Sequence, residues 1–305
     1  MEIVVTLTDK NLLDRLAERR IDGIIFGGIF SNKYNYSLED MEEINDYCRV
    51  IGIKRYISID TFILEENVQT LAEYISFLKG LNPDGVFFTD LAVLNCCKNL
   101  NLDSKLIYDP QTLLTNSYDI GFYLARGIDV VLSRELTLEE IMNIVKKYPY
   151  KLDMQVFGHL KMSYSRRRIL RNYFSEILKP HDVLNKTNLT LVEETRNYKM
   201  PVKETKYGTC IYTDYVFEMY EEYAYLKKLL KRCIVDTEFI DDETVIDVIR
   251  DLKRITTDNS TFLKDSFVNR NSKYTFTKGY LYQKTTDKKE NDEQDWIIST
   301  SKGLW

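Results

Sequence analysis

Asp84-Gly85-Val86-Phe87-Phe88-Thr89-Asp90 is an acid and a small residue followed by an unbroken apolar run. Two other stretches share the pattern of an Asp, a small or branched residue and an apolar run: Asp22-Gly23-Ile24-Ile25-Phe26-Gly27 and Asp129-Val130-Val131-Leu132-Ser133. A half-buried strand alternates apolar and polar residues. A strand that is apolar throughout is buried on both faces, as in a parallel sheet covered by helices.

Helical patterns fill the gaps between these runs. Ile3 to Leu7 predicts a first strand. Thr8 then caps a helix carrying Leu12, Leu13, Leu16 and Ala17 on one face. Ser37 opens a helix through Leu38, Met41, Ile44, Tyr47, Cys48 and Ile51. Tyr56 to Asp60 is the third strand, followed by a helix with Leu71, Tyr74, Ile75 and Leu78. Lys105 to Tyr108 is the fifth. After the sixth, Thr137 and Glu140 form a capping box that starts a helix through Ile141, Ile144 and Val145. Leu152 to Phe157 is the seventh strand, and Ile234-Val235-Asp236 with a helix through Val245, Val248, Ile249 and Leu252 supplies an eighth unit. No GxGxxG follows the first strand, which argues against a dinucleotide-binding open sheet. Eight repeated units favour an α/β fold of the (β/α)8, TIM-barrel-like kind.

The expected organisation is barrel units 1 to 7 over residues 1–157, an irregular basic insertion over 158–232, the last unit over 233–257, and a C-terminal extension over 258–305. Within the insertion a helix is predicted from about Asp214 to Lys231. The charged run Asp287 to Glu293 reads as a solvated tail, with Trp296 and Trp305 beyond it.

The chain has 305 residues, 44% hydrophobic and 29% charged, with a net charge of −5. This rules out a strongly basic protein held to nucleic acid by overall charge, while leaving room for a local basic patch. No run approaches the ~18 apolar residues of a membrane span. The N-terminus reads as a strand and not a leader, so a cytoplasmic protein is expected. Cys48, Cys96, Cys97, Cys210 and Cys233 form no CxxC and read as reduced thiols. With His159 and His181 the only histidines, no zinc-ligand spacing is present.

Barrel enzymes place their chemistry at the C-terminal ends of the strands. Those ends carry Asp60, Asp90, Asp109, Gln111, Arg134, Glu135 and Asp236. Arg134 can fork onto a carboxylate or phosphate, and Glu135 can accept a proton or hold Arg134 in place. An ion-pair network that merely closes the barrel is the equal alternative. Gln111 and Asn116 can bond a polar substrate or simply stabilise loops. A second feature is basic: Lys161, Arg166, Arg167, Arg168 and Arg171, interleaved with Tyr164 and Tyr173. It suits RNA phosphates with tyrosines for stacking, a solvated face, or an acidic partner.

Four segments carry a resemblance. They are Tyr108-Asp109-Pro110-Gln111-Thr112-Leu113-Leu114-Thr115-Asn116, Ser133-Arg134-Glu135-Leu136-Thr137-Leu138-Glu139-Glu140-Ile141, Phe157-Gly158-His159-Leu160-Lys161-Met162-Ser163-Tyr164-Ser165, and Tyr207-Gly208-Thr209. Together they resemble the collagenase-like peptidase family U32 over roughly residues 20 to 280. The chain is most similar to the cysteine-poor Firmicutes members implicated in wobble-uridine hydroxylation of tRNA. The resemblance implies a barrel, and in several branches an oxygen-independent, prephenate-dependent hydroxylation. Those branches hold a 4Fe–4S cluster with a G-x-x-C-x(6)-C segment. Here the segment starts at Gly158, and its cysteine positions are Lys161 and Arg168, neither of which is a thiolate ligand. Relatives also carry His where this chain has Cys210.

The resemblance therefore implies a subunit without a cofactor of its own. A cysteine-bearing homologous subunit would hold the iron–sulfur cluster, and tRNA and a small carboxylate such as prephenate would be further partners. Arg134, Glu135, Asp109 and Gln111 are the expected catalytic set. Asn116, His159, Lys161, Tyr164, Arg166, Arg167, Arg168 and Arg171 are the expected substrate or RNA contacts. A peptidase and a non-enzymatic RNA- or protein-binding scaffold are the alternatives. No HExxH, no G-x-S-x-G and no Cys or Ser with an evident His partner supports the peptidase from the residues themselves.

Overall fold

The apolar runs become strands whose alternate residues face two different cores. In the computed structural model, residues 1–102, 104–177, 181–192 and 198–283 are described. Val4, Ile25, Tyr56, Phe87, Ile107, Val131 and Ile234 point into a barrel and pack on one another, with Tyr34 above them. Their neighbours Val5, Ile24, Phe26, Val86, Phe88 and Val235 face outward under the helices. Burial on both sides is why these runs are apolar almost throughout, Ser58 in β3 being an exception.

The strands in chain order are β1 (Glu2–Thr6), β2 (Gly23–Phe26), β3 (Lys54–Ile59), β4 (Gly85–Phe88), β5 (Lys105–Tyr108), β6 (Asp129–Val131), β7 (Leu152–Ser165), β8 (Thr190–Val192), β9 (Lys199–Thr205), β10 (Gly208–Glu218), β11 (Arg232–Val235) and β12 (Phe276–Thr277). β1 to β7 pair in sequence and in parallel. β11 closes the cylinder by pairing parallel with both β1 and β7, Ile234 lying opposite Val4 on one side and Gln155 on the other. This is the eight-stranded parallel barrel the repeats predict.

The helices are α1 (Leu13–Glu18), α2 (Leu38–Ile51), α3 (Val68–Leu81), α4 (Leu91–Asn99), α5 (Ser117–Leu124), α6 (Leu138–Lys147), α7 (Ile169–Glu176), α8 (Tyr220–Leu226), α9 (Asp242–Leu252) and α10 (Ser260–Arg270). Ser37 with Asp40 and Thr137 with Glu140 form complete capping boxes on α2 and α6. Thr8 does not cap the first helix. Asp9 accepts from the Asn11 amide instead, and the Thr8 hydroxyl bonds Thr237 at 3.0 Å.

The acids that precede the strands lie at the N-terminal floor of the barrel. Asp22 Oδ2 accepts from the Ile3 amide at 2.7 Å and Asp84 Oδ2 from the Arg55 amide at 2.8 Å. Asp129 pairs with Arg232, which also donates through Nε to Asp153 at 2.8 Å. Gly23 leaves space for the Tyr56 ring, which a Cβ there would approach to 2.8 Å.

Two expectations change above the barrel. β7 does not stop at Phe157 but runs 14 residues to Ser165, rising out of the barrel top. The insertion is not irregular, because β7, β10, β9 and β8 form an antiparallel ladder. The helix expected from Asp214 is a strand up to Glu218, and only Tyr220–Leu226 is helical. Thr209, Ile211, Tyr212, Thr213, Tyr215, Val216 and Phe217 are β-branched or aromatic, which suits a strand. Gly158, at φ 113°, is where β7 leaves the barrel; a Cβ there would meet the Asp236 carbonyl oxygen at 2.4 Å. The charged run 287–293, Trp296 and Trp305 lie outside the described residues. Among the described residues no helix is long and apolar enough to cross a membrane.

Candidate active site

Because all eight barrel strands run the same way, the residues that follow them converge on one rim. Asp60 follows β3, Asp109 and Gln111 follow β5, Arg134 follows β6 and Asp236 follows β11. Lys33 and Tyr34 enter from the loop after β2, Gln155 rises from within β7, and the antiparallel ladder brings Lys161 and Tyr212 over the top. They line a narrow cleft of about 40 Å³.

The cleft is charged and nearly balanced. Lys161 Nζ lies 3.2 Å from Asp60 Oδ2, Arg134 Nη2 lies 3.4 Å from Asp109 Oδ2, and Lys33 pairs with Asp236. Behind them Lys203 donates to Glu238 at 2.8 Å and to the Lys33 carbonyl at 2.6 Å. Burial works against the Lys161 ammonium, yet the Asp60 carboxylate more than offsets it and raises its pKa. Burial likewise opposes the Asp60 and Asp236 carboxylates, but Lys161 and Lys33 respectively hold both below the usual range. Both acids are therefore ionised at neutral pH, suited to holding cations in place and not to donating protons.

Two donors stand apart from this pairing. Arg134 Nε donates to Gln155 Oε1 at 2.7 Å, and Nη2 reaches Asp109, but the buried Nη1 has no hydrogen-bond partner among the described residues. The Tyr212 hydroxyl is also buried without one. Burial first, and the nearby acidic groups after it, push the Tyr212 pKa well up, so the hydroxyl keeps its proton. A buried donor without an acceptor costs roughly 1–3 kcal/mol. Both residues line the cleft, beside Lys33 and Lys161 and the acids paired with them, and a carboxylate or phosphate oxygen would satisfy either donor.

The cleft gathers Asp109, Gln111, Arg134 and Lys161 from the expected set. Gln111 holds φ at 69°, in the left-handed region, and its carbonyl accepts from the Arg134 amide at 3.3 Å. Glu135 is not brought in: its side chain is exposed and makes no hydrogen bond to Arg134. Asn116 is the N-cap of α5, accepting from the Tyr118 and Asp119 amides at 3.0 Å each. Asp90 caps α4 in the same way. His159 is buried with Nδ1 2.8 Å from the Thr213 carbonyl, and burial lowers its pKa. Lys161, read with the basic run, is separated from it and faces the barrel. Arg166 and Arg168 line a neighbouring groove, Tyr164 stacks on Phe62 between groove and mouth, and Arg167 and Arg171 are exposed beside them.

The residues do not fit an iron–sulfur cluster. Cys48, Cys97, Cys210 and Cys233 are buried, and Cys96 is half-buried. Cys48 and Cys233 belong to the apolar core, and burial pushes the Cys210 thiol up to about 11. Among the described residues no three His, Cys, Asp or Glu side chains are grouped to hold a metal.

Lys33, Tyr34, Gln155, Lys203, Tyr212 and Glu238 were not anticipated. Gln155 carried a signal, being a polar residue between Met154 and Val156 in a buried strand, and Glu238 lies two residues beyond Asp236.

Several known proteins are similar to this chain. The Bacillus subtilis tRNA hydroxylation protein P2 is 29% identical over 180 residues, covering 58% of this chain and 58% of its own length. The B. subtilis tRNA hydroxylation protein P1 is 26% identical over 159 residues, covering 50% of this chain and 38% of its own. A collagenase of Porphyromonas gingivalis is 24% identical over 142 residues, covering 43% of this chain and 34% of its own. The chain thus spans little more than half the length of these relatives at most. The solved structure of the U32 peptidase Mk0906 covers 77% of this chain and 92% of that chain at 14% identity, with a TM-score of 0.49. The model of peptidase family U32 matches residues 13–291, and the chain belongs to that family.

Proposed function

We propose that this protein takes part in hydroxylation of a tRNA uridine, as the subunit that holds a small carboxylate and the RNA. The observation that carries the reading is the pair of unpartnered donors, Arg134 Nη1 and Tyr212 Oη, buried in a cleft also lined by Lys33 and Lys161. In this reading the cleft receives the carboxylate group of a small molecule, and prephenate is the candidate consistent with an oxygen-independent route. The tRNA hydroxylation names of the two B. subtilis relatives support the choice of reaction.

In this reading the chain's own residues bind and orient. Arg134 and Tyr212 grip a carboxylate, while Lys33 and Lys161, fixed by Asp236 and Asp60, offer their remaining N–H donors at its edge. The iron–sulfur cluster belongs to a cysteine-bearing homologous subunit, with which the chain forms a heterodimer in the cytoplasm. Two separate B. subtilis proteins of this type, P1 and P2, are consistent with a pair.

The test is deletion of the gene, followed by mass spectrometry of tRNA nucleosides and complementation with the wild type and with Arg134→Ala. Loss of hydroxyuridine, restored by the wild type and not by Arg134→Ala, is expected. Unchanged hydroxyuridine rejects the reading. Cleavage of gelatin by the purified chain, abolished by Glu135→Gln, would put a peptidase in its place.

A further inference from the structure

The cleft continues outward along a defined path. From Asp60, Gln111 and Lys161 a vestibule leads to Met162, Phe62 and Tyr164. Phe62 also forms one wall of the next groove, which carries Arg166, Arg168, Lys206 and Tyr207. One aromatic residue is therefore shared between the approach to the cleft and a basic surface.

Phe62 is 46% exposed, yet it is held: its ring stacks on Tyr164 with centroids 5.0 Å apart and planes 22° from parallel. Tyr164 is in turn fixed by its hydroxyl, which donates to the Tyr207 carbonyl at 3.0 Å. The stack leaves part of the Phe62 ring open to solvent. Arg166, Arg168 and Lys206 are exposed and make no ion pair among the described residues, although the whole chain carries −5. Arg168 donates only to the Lys206 carbonyl, at 3.3 Å, and Glu66 is the one acid lining the groove.

An ordered aromatic face beside uncompensated cations suits single-stranded RNA, whose bases stack on rings while the cations follow its phosphates. A duplex offers its phosphates but no free base face. A base paired in a helix also cannot enter a barrel cleft; it must be extruded first, and its neighbours need somewhere to stack.

We propose that the Phe62–Tyr164 step is a stacking platform for a single-stranded RNA loop. Its phosphates lie along Arg166, Arg168 and Lys206, and the base beyond the platform turns through the vestibule toward Arg134. The proposal rests on the RNA-modification reading and adds where and how the RNA is held.

The experiment uses the full chain with a labelled hairpin bearing a tRNA anticodon loop, and the same stem closed into a duplex without the loop. The hairpin binds more tightly than the duplex. Phe62→Ala weakens hairpin binding by roughly 5- to 100-fold, with little effect on the duplex, and Phe62→Tyr restores it. Arg166→Gln combined with Arg168→Gln weakens both ligands and reduces the slope of log affinity against log salt by about 2. Phe62 is half exposed, so circular dichroism of Phe62→Ala should match the wild type.

Equal hairpin affinity for the wild type and Phe62→Ala overturns the platform, as does failure of the full chain to bind the hairpin. Loss of binding to the cysteine-bearing homologue in Phe62→Ala, with RNA binding intact, assigns the surface to a protein interface and also overturns it. Hydroxyuridine in the deletion strain is scored separately. Platform-dependent RNA binding with unchanged hydroxyuridine keeps the platform and removes the hydroxylation reading.

Discussion

Gln155 Oε1 accepts a hydrogen bond from Arg134 Nε at 2.7 Å, and Gln155 Nε2 donates to the His159 carbonyl at 3.1 Å. The buried amide thus ties the guanidinium to the point where β7 leaves the barrel. Gln155→Leu removes these bonds, together with the longer one from Nε2 to the Phe157 carbonyl at 3.4 Å, and leaves Arg134 Nε without its acceptor. It is expected to lower the unfolding free energy by about 1–3 kcal/mol in urea titration and to weaken carboxylate binding. Unchanged stability together with unchanged prephenate affinity would show that Asp109 alone positions Arg134.

Tyr212→Phe separates binding from stability. The hydroxyl is buried without a partner, so its removal relieves a desolvation cost and should leave stability equal or higher. The same change deletes one of the two donors offered to a carboxylate, and affinity should fall by roughly tenfold, near 1.4 kcal/mol. Calorimetric titration with prephenate, paired with a thermal melt, reads both effects. A melt lowered by several degrees would mean that the hydroxyl has a structural partner.

Lys161 and Asp60 are 8% and 9% exposed and pair at 3.2 Å. Lys161→Met leaves the Asp60 carboxylate buried with its nearest cation gone, at an expected cost of about 3–5 kcal/mol. Adding Asp60→Asn in the same chain should recover part of that loss, because the stranded charge disappears. Denaturant unfolding of the two singles and the double gives the coupling energy. Strict additivity of the two substitutions would rule out a dependent pair.

The barrel was legible because burial on both faces leaves a mark in the residues themselves: Ile24, Ile25 and Phe26 are consecutive and all apolar. The rim was legible in part for the same reason. Residues just after β5 and β6 have to arrive at the mouth, and Asp109, Gln111 and Arg134 do line it. Sequence adjacency misled at Glu135, where the side chain turns to solvent while that of Arg134 turns inward. Tyr212 and Lys203 had no local signal. Tyr212 reaches the mouth, and Lys203 the ion pairs behind it, because a ladder more than 40 residues after Phe157 folds back over the barrel, a long-range pairing that no local pattern encodes.

The floor of the barrel gives a pH dependence of known sign. Asp153 is fully buried, its Oδ1 has no partner among the described residues, and its Oδ2 accepts from Arg232 Nε at 2.8 Å. Burial pushes its pKa up to about 7, against the pull of Arg232 and with the Asp129 carboxylate adding to the rise. The folded state thus keeps a proton that the unfolded chain has released above the ordinary carboxyl range, near 3.8. Asp153 contributes its full stability below that range and loses it progressively as pH rises toward 7. Asp60, Asp236 and Asp129, whose pKa values are lowered, behave in the opposite sense and lose their contribution on acidification. The Asp153 effect is therefore read as the difference between the wild type and Asp153→Asn, which cancels the rest. As pH is raised across this interval, Asp153→Asn should gain on the wild type by a few kcal/mol in urea unfolding. A difference that stays flat would show that Arg232 keeps Asp153 ionised throughout, so that the barrel floor is a permanent ion pair.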